Sequence, residues 1–352
     1  MSKIDQSANV VHSTFLFSAG LLGNIIALCI LYQHKRSSRR SQVSVFYILV
    51  TGLVLTDLLG KIIVSAMVFD CYAKNTKLEG SMCQAFALLM AFFALCSMLI
   101  LLAMALECWL SIGHPYFYQR NVTKKKAMII FPVIGLLTLL FCSLPLLKFG
   151  IYKNYPPGTW CFIRMTMNGT EPNNGTEPNK AIVFSLLYAN LMGLLILSNV
   201  ICNIAAIVNL QKMYQRSLRN CTLNNFVESA ANQNTYPCDE IDNMILLGLM
   251  TILLIICSTP LTVRAYIGAF APDGNEEKDL VALRFHSINS IVDPWVFIIF
   301  RTSPFRALLR RLYNKLIHKK AAVSARNTIN VLSYGDNSIV DQPPSSETDR
   351  VT

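Results

Sequence analysis

Three polar residues stand out in the last apolar stretch of the chain, which runs from Val281 to Arg301. Arg284 lies near its start, and Asp293 and Pro294 lie in its second half. The stretch matches the ~20 residues that cross a bilayer core, and a charge at the centre of a membrane span costs at least ~2.5–3.5 kcal/mol. Arg284 is therefore either an anchor at the membrane surface or a cation that points into a helix bundle and binds an anion.

A second set of polar residues follows one face of an earlier apolar stretch. Asp57 and Lys61 are one helical turn apart and could simply neutralise each other. The same face continues through Ser65 to Tyr72, and a polar stripe of that length on a membrane helix faces protein or water. Together with Arg284, these side chains suit a ligand that has a carboxylate and an apolar body.

The composition of the chain is that of a membrane protein. It has 352 residues, of which 53% are hydrophobic and 14% are charged, whereas soluble domains have about 25% charged residues. The net charge of +11 is spread over short runs between apolar stretches, so we expect no nucleic-acid partner. Catalytic signatures such as His-Glu-x-x-His, Gly-x-Ser-x-Gly or a phosphate-binding glycine loop are missing, which predicts no enzyme, cofactor or metal site.

Seven apolar stretches could position these residues, and they predict an all-α membrane protein with a seven-transmembrane helix bundle. The spans are Phe15–Tyr32, Val43–Phe69, Cys83–Ile112, Met128–Leu147, Ile182–Leu210, Met244–Phe270 and Leu280–Phe300. The segments after the first, third, fifth and seventh spans are the basic ones. Because positive segments stay inside, we expect a multi-pass protein with an extracellular N-terminus.

The regions outside the spans are predicted from composition. We expect an extracellular N-terminus at 1–13, the seven-helix bundle at 14–302, a short amphipathic helix on the inner leaflet at 303–318, and a disordered cytoplasmic tail at 319–352. Asn168 and Asn174 begin Asn-Gly-Thr sequons on the outer side, so both are expected glycosylation sites.

Several single residues have both a functional and a plain interpretation. Cys83 and Cys161 are both expected outside, where a disulfide would persist, although they could also be unpaired. Thr159 would point at the cavity mouth or be a surface threonine. Glu107 ends the third span at the inner face, and Pro260 is a candidate for a kink in the sixth.

These motifs resemble those of the rhodopsin-like G-protein-coupled receptors, and more narrowly of the prostanoid receptor family. The resemblance is carried by Gly158 to Phe162 (GTWCF) and by Leu283 to Phe285 (LRF) followed by Asp293 to Trp295 (DPW). It implies that Arg284 binds the ligand carboxylate with help from Thr159 and Tyr72. The expected ligand site also includes Lys61, Trp160 and Ser287, and the expected activation switch comprises Asp57, Glu107, Pro260, Asp293 and Pro294.

Within the family, Asp57 to Lys61 and Glu107 to Trp109 look most like the receptors for prostaglandin D2. The resemblance implies a plasma-membrane receptor that couples to the stimulatory G protein, raises cyclic AMP, and also meets arrestin and receptor kinases. Receptors for prostaglandin E2 or prostacyclin are the alternative, since Ser111 to Arg120 resembles the E2 type. A carrier for organic anions is a distant alternative, because carriers usually show internal repeats that this chain lacks. The chain departs from most rhodopsin-like receptors at Cys108, where an arginine is usual.

Overall fold

The computed structural model describes residues 6–37, 44–156, 158–165, 177–223, 238–271 and 274–302. The amphipathic helix and tail predicted for 303–352, and the sequons at Asn168 and Asn174, lie outside these residues. The eight α-helices of the described ranges are α1 (Gln6–Ser37), α2 (Val45–Lys74), α3 (Gly80–Gly113), α4 (Pro115–Asn121), α5 (Lys124–Cys142), α6 (Glu177–Leu223), α7 (Cys238–Phe270) and α8 (Glu276–Thr302).

The long helices correspond to the seven predicted spans. Helices α1, α2, α3, α6 and α7, and α5 with the turn that follows it, are each long and apolar enough to cross a membrane. Helix α8 has 27 residues and is the span that contains Arg284 and Asp293. Helix α3 is central and packs against α2, α5, α6 and α7, while α1 packs between α2 and α8. The predicted bundle is confirmed.

Several helix boundaries differ from the sequence prediction; helix α6, for example, continues to Leu223 instead of ending at Leu210. The fourth span was expected to continue to Leu147, but α5 ends at Cys142 and a separate 3₁₀ turn covers Leu144–Leu147. Pro145 has no N–H for a continuing α-helix, so the chain tightens there. Helix α1 begins at Gln6, within the segment that was assigned to the N-terminus, which shortens the part outside the helix.

A β-hairpin was not predicted and covers the outer end of the bundle. Strands β1 (Tyr152–Tyr155) and β2 (Trp160–Ile163) pair antiparallel. Gly158 in the turn has a φ of 108°, a conformation that side chains disfavour. A disulfide joins Cys161 of β2 to Cys83 at the start of α3, with their Cα atoms 5.4 Å apart. The expected disulfide is confirmed, and it fixes the hairpin over α3.

Helices α1 and α8 approach each other closely at a glycine. The Trp295 indole Nε1 donates a hydrogen bond to the carbonyl oxygen of Ala19 over 3.1 Å. A Cβ at Gly23 would come within 2.8 Å of the same nitrogen, so only glycine leaves room for the ring. This contact sets the position of α8, and therefore of Arg284, against α1.

Candidate functional site

One cavity lies between α1, α2, α3, α8 and the hairpin. Including the space at its mouth it measures about 1150 Å³, and its walls are mainly apolar. The predicted ligand-site residues that line it are Lys61, Tyr72, Trp160, Arg284 and Ser287. These side chains come from three separate parts of the sequence, and the fold brings them to one space. Thr159 is buried in the hairpin and is not among the lining residues.

Arg284 is half-buried in the wall of this cavity. Among the described residues, its guanidinium forms no ion pair with a carboxylate. Its backbone carbonyl accepts a hydrogen bond from the Ser287 hydroxyl over 2.8 Å. Of the two interpretations from the sequence, the inward-pointing cation fits the structure better than the surface anchor, because a surface anchor would not line an internal cavity.

The polar stripe of α2 faces the same cavity along its whole length. Asp57, Lys61, Ser65 and Tyr72 all line it. Asp57 accepts a hydrogen bond from the Ser97 hydroxyl over 2.6 Å instead of forming a direct ion pair with Lys61 in the described structure. Lys61 lines the cavity without a direct ion pair to that carboxylate, although the nearby Asp57 charge acts on it electrostatically.

The stem of Lys61 crosses a glycine of α1. A Cβ at Gly20 would lie 3.1 Å from Lys61 Cε, so the glycine leaves space for the lysine stem. At the outer end, the Tyr72 and Ser13 hydroxyls are 3.5 Å apart and link α2 to α1. The two helices therefore hold the lysine and the phenol in a fixed relation.

A layer of buried polar groups lies at the inner end of the cavity, where Asp57 and Asn289 belong to its lining. Asp57 and Asp293 are both almost fully buried, and Asn24 and Asn289 are buried beside them. Asn24 donates hydrogen bonds to the carbonyl oxygens of Gly20 and Ser290, so it joins α1 to α8. Within the described part of the chain, both carboxylate oxygens of Asp293 and one of Asp57 have no hydrogen-bond partner. A buried carboxylate oxygen without a hydrogen bond is costly, so Asp57 and Asp293 remain the candidates for the activation switch that the sequence predicted.

Comparisons with known proteins agree with this geometry. The family described as "7 transmembrane receptor (rhodopsin family)" matches residues 23–297. The prostaglandin D2 receptor of Mus musculus is 43% identical, covering 89% of this chain and 91% of its own. The prostaglandin D2 receptor of Homo sapiens is 41% identical over 92% of this chain and 94% of its own. The chain belongs to the prostanoid receptors of the rhodopsin family.

The chain is also similar to a prostaglandin E2 receptor and to a rhodopsin of known structure. The prostaglandin E2 receptor EP2 subtype of Homo sapiens is 43% identical, covering 84% of both chains. Squid rhodopsin has the same fold, with a TM-score of 0.68 at 12% identity, covering 87% of this chain and 83% of its own. Members of this family are receptors, so this protein is a receptor and not an enzyme. The same membership excludes the alternative of an organic-anion carrier.

The inner end of α3 contains a contact that the sequence did not predict. Glu107 is buried and accepts a hydrogen bond from the Tyr118 hydroxyl of α4 over 2.5 Å. Helix α4 begins with Pro115 directly after His114. Cys108 stands where most rhodopsin-like receptors have arginine, so no arginine follows Glu107 in the sequence. The carboxylate of Glu107 accepts a hydrogen bond from the phenol of Tyr118. The sequence around Tyr118 (Pro-Tyr-Phe-Tyr, from Pro115) does not indicate that its hydroxyl contacts Glu107.

Ion pairs at the outer ends of α7 and α8 were also missed. Arg264 donates to Asp279 over 2.6 Å and to the carbonyl oxygen of Asn275 over 3.1 Å. Lys153 of the hairpin pairs with Glu276 over 2.5 Å. In the same hairpin, burial raises the pKa of Tyr155 well above its usual value, so its phenol stays a neutral donor to the carbonyl of Ile163. These contacts fix the hairpin and α7 to the first turn of α8, two turns before Arg284.

The remaining predicted switch residues lie within continuous helices. Pro260 is inside α7 and Pro294 is inside α8. Proline removes one backbone hydrogen bond from a helix, so each helix has a weak point at or below the level of the cavity. Their role in activation stays a prediction.

Proposed function

We propose that the receptor binds prostaglandin D2 at the plasma membrane, with its N-terminus outside, and raises cyclic AMP through the stimulatory G protein. Three relatives named as prostaglandin D2 receptors, and one of Rattus norvegicus named prostaglandin D2 receptor-like, are 41–44% identical over 89–92% of this chain. The basic segments between the spans support the orientation. The same segments would meet the G protein, and arrestin and receptor kinases are proposed as later partners.

The observation that carries this proposal is the guanidinium of Arg284, which lines the cavity without an anionic partner among the described residues. A prostanoid supplies a carboxylate on a long apolar body. Arginine can form two parallel charge-assisted hydrogen bonds with a carboxylate, and such bonds gain strength in a cavity of low dielectric constant.

The rest of the ligand would occupy the apolar part of the cavity. Lys61, Tyr72 and Ser287 would surround the head of the ligand, and Trp160 would cover it from the hairpin. The lining side chains that would contact the apolar chains are Leu16, Phe17, Val64, Val68, Phe86, Met90 and Phe93. We assign Thr159 a positioning role, because it is buried beside Trp160 and does not itself line the cavity.

Signalling requires that the ligand bind one conformation of the receptor more tightly than another. The buried layer of Asp57 and Asp293 lies directly below the ligand, and Pro260 and Pro294 are the weak points of the two helices beside it. We propose that these residues change arrangement on binding. Release of Glu107 from Tyr118 at the inner face would then accompany access by the G protein.

A receptor for prostaglandin E2 is the second candidate, because relatives named as E2 receptors are 42–43% identical over 84% of this chain. A prostacyclin receptor is the remaining alternative within the family. All three share the same carboxylate, so Arg284 does not separate them. The residues around the ring of the ligand must do so.

A cyclic AMP assay in transfected cells across the natural prostanoids tests the proposal. We expect prostaglandin D2 to have the lowest half-maximal concentration, with no response in untransfected cells. A lower half-maximal concentration for prostaglandin E2 or prostacyclin would assign that prostanoid as the ligand, and the protein would still be a prostanoid receptor. If labelled prostaglandin D2 binds the cells yet cyclic AMP does not rise, the proposed G protein is wrong.

A further inference from the structure

His286 is a cavity residue that the proposed binding mode leaves without a function. It lies in α8 two residues after Arg284 and lines the same cavity, yet it is only 5% exposed. Its ring nitrogen Nδ1 lies 3.2 Å from the hydroxyl of Ser258, which is fully buried in α7. The ring is therefore held between α8 and α7 by one hydrogen bond.

The other nitrogen of the ring has no such partner. Among the described residues, Nε2 of His286 is buried without a hydrogen bond. A histidine that served only as packing would be expected to satisfy both nitrogens, since a buried polar atom without a partner costs about 1–3 kcal/mol. His286 lines the cavity and its Nδ1 is engaged with α7, so Nε2 is the ring nitrogen that remains for a further partner.

The position of His286 suits a different part of the ligand from the one that Arg284 binds. Helical side chains tilt toward the N-terminus of the helix, so the guanidinium extends outward from α8. Residue 286 lies about 3 Å deeper along the helix axis, at 1.5 Å per residue. A carboxylate held by Arg284 would thus leave the body of the ligand beside the imidazole.

We propose that His286 is a ligand-binding residue that forms a hydrogen bond through Nε2 to an uncharged oxygen, a hydroxyl or ketone, on the ring of the ligand. This inference rests on the proposed function, because it needs a prostanoid in the cavity. Ser258 is then a positioning residue, since its hydroxyl fixes the imidazole without reaching the ligand. Ser258 lies two residues before Pro260, so the same hydrogen bond connects the bound ring to the weak point of α7.

The test compares two ligands on matched variants. Competition binding would use prostaglandin D2 and an analogue from which the ring hydroxyl and ketone have been removed. The wild-type receptor is expected to prefer prostaglandin D2, and His286→Phe is expected to lose about three- to tenfold of that preference, the value of one hydrogen bond. The affinity for the analogue should fall far less, because phenylalanine keeps the shape of the ring. His286→Gln, which retains a donor and an acceptor, should recover part of the preference.

Thr259→Val is the matched control, because this neighbouring hydroxyl of α7 is exposed and bonds only within its own helix. It should keep the wild-type preference. Ser258→Ala leaves the cavity lining intact and should lower the preference about two- to threefold, so it decides the matter if the His286 variants fail to reach the cell surface. An unchanged preference in His286→Phe, or in Ser258→Ala where only that variant folds, would overturn the inference. If the wild-type receptor binds neither ligand, it is the proposed function that fails.

Discussion

Two arginines near the outer end of the bundle have opposite surroundings. Arg264 of α7 is buried, and it donates to the carboxylate of Asp279 and to the carbonyl of Asn275. Arg284 of α8 lines the cavity and has no anionic partner among the described residues. The guanidinium group therefore serves two purposes in this protein. In Arg264 it binds a protein carboxylate and holds two helices together, and in Arg284 it is available for the carboxylate of a ligand.

The position of Arg284 depends on the ion pair that Arg264 forms. Asp279 lies in the first turn of α8, where a carboxylate is favoured by the helix dipole. By fixing this turn to α7, Arg264 fixes the start of the helix that carries Arg284. Glu276 in the same turn is held by Lys153 of the hairpin. The paired arginine thus positions the unpaired one.

The largest effect, on stability, is expected from breaking the ion pair between Arg264 and Asp279. Asp279→Ala would remove the carboxylate that accepts from the buried Arg264, and breaking a buried pair in this way costs about 3–5 kcal/mol. We expect a clearly lower apparent melting temperature for the purified receptor in detergent. A variant that melts with the wild type would contradict the structural role of the pair.

Glu276→Ala provides the matched control for Asp279→Ala. Its partner Lys153 and Glu276 itself are each 24% exposed, so solvent screens the pair and the loss should be smaller. Replacing both members of the buried pair, as Arg264→Met with Asp279→Leu, should recover part of the stability, because the buried guanidinium is then removed together with its carboxylate.

The next largest effect is expected at the unpaired arginine, and on binding instead of stability. Arg284→Ala should lower the affinity for prostaglandin D2 by about 10- to 150-fold, corresponding to the ~1.5–3 kcal/mol of a charged hydrogen bond. The melting temperature of the empty receptor should not fall, since no partner in the described structure is lost. Competition binding and thermal melting on the same preparation measure both.

The methyl ester of the ligand provides the control for Arg284→Ala. The wild-type receptor should bind the ester more weakly than the acid, and the variant should bind the two alike. Arg284→Lys should be intermediate, because an ammonium keeps the charge but not the bidentate geometry. Equal affinities of wild type and Arg284→Ala for the acid, at normal surface expression, would remove the basis of the proposed site.

The sequence could predict the unpaired site better than the paired one. Arg284 is conspicuous because a charge within an apolar span needs a reason, and the spacing of Asp57, Lys61 and Tyr72 puts them on one helix face. Arg264 also lies inside its predicted span, but its contact with Asp279 depends on the tertiary packing of α7 and α8, which the sequence does not show. His286 gave no signal for the same reason, because its partner Ser258 is on another helix.

Lys61→Thr should have a smaller effect, on the choice between ligands. Lys61 lines the cavity and has no direct ion pair among the described residues, so it adds a second cation near the head of the ligand. Its loss should change the ratio of prostaglandin D2 to prostaglandin E2 affinities by up to about tenfold. Lys74→Thr is the control, because Lys74 is exposed on the same helix and pairs with Asp70. If both variants keep the wild-type ratio, Lys61 does not select the ligand.

The smallest effect should come from moving Lys61 without removing it. Gly20→Ala would place a Cβ 3.1 Å from Lys61 Cε and 3.4 Å from Ile291 Cγ1. The end of a lysine stem moves easily, so we expect the ligand ratio to shift about twofold in the direction of Lys61→Thr, while alanine in a helix keeps or improves stability. Gly193→Ala on α6 is the control, because nothing lies within 4 Å of its added Cβ. A loss of stability with an unchanged ligand ratio would mean that Ile291 takes up the clash, and that the position of the ammonium group, unlike its charge, has no part in recognition.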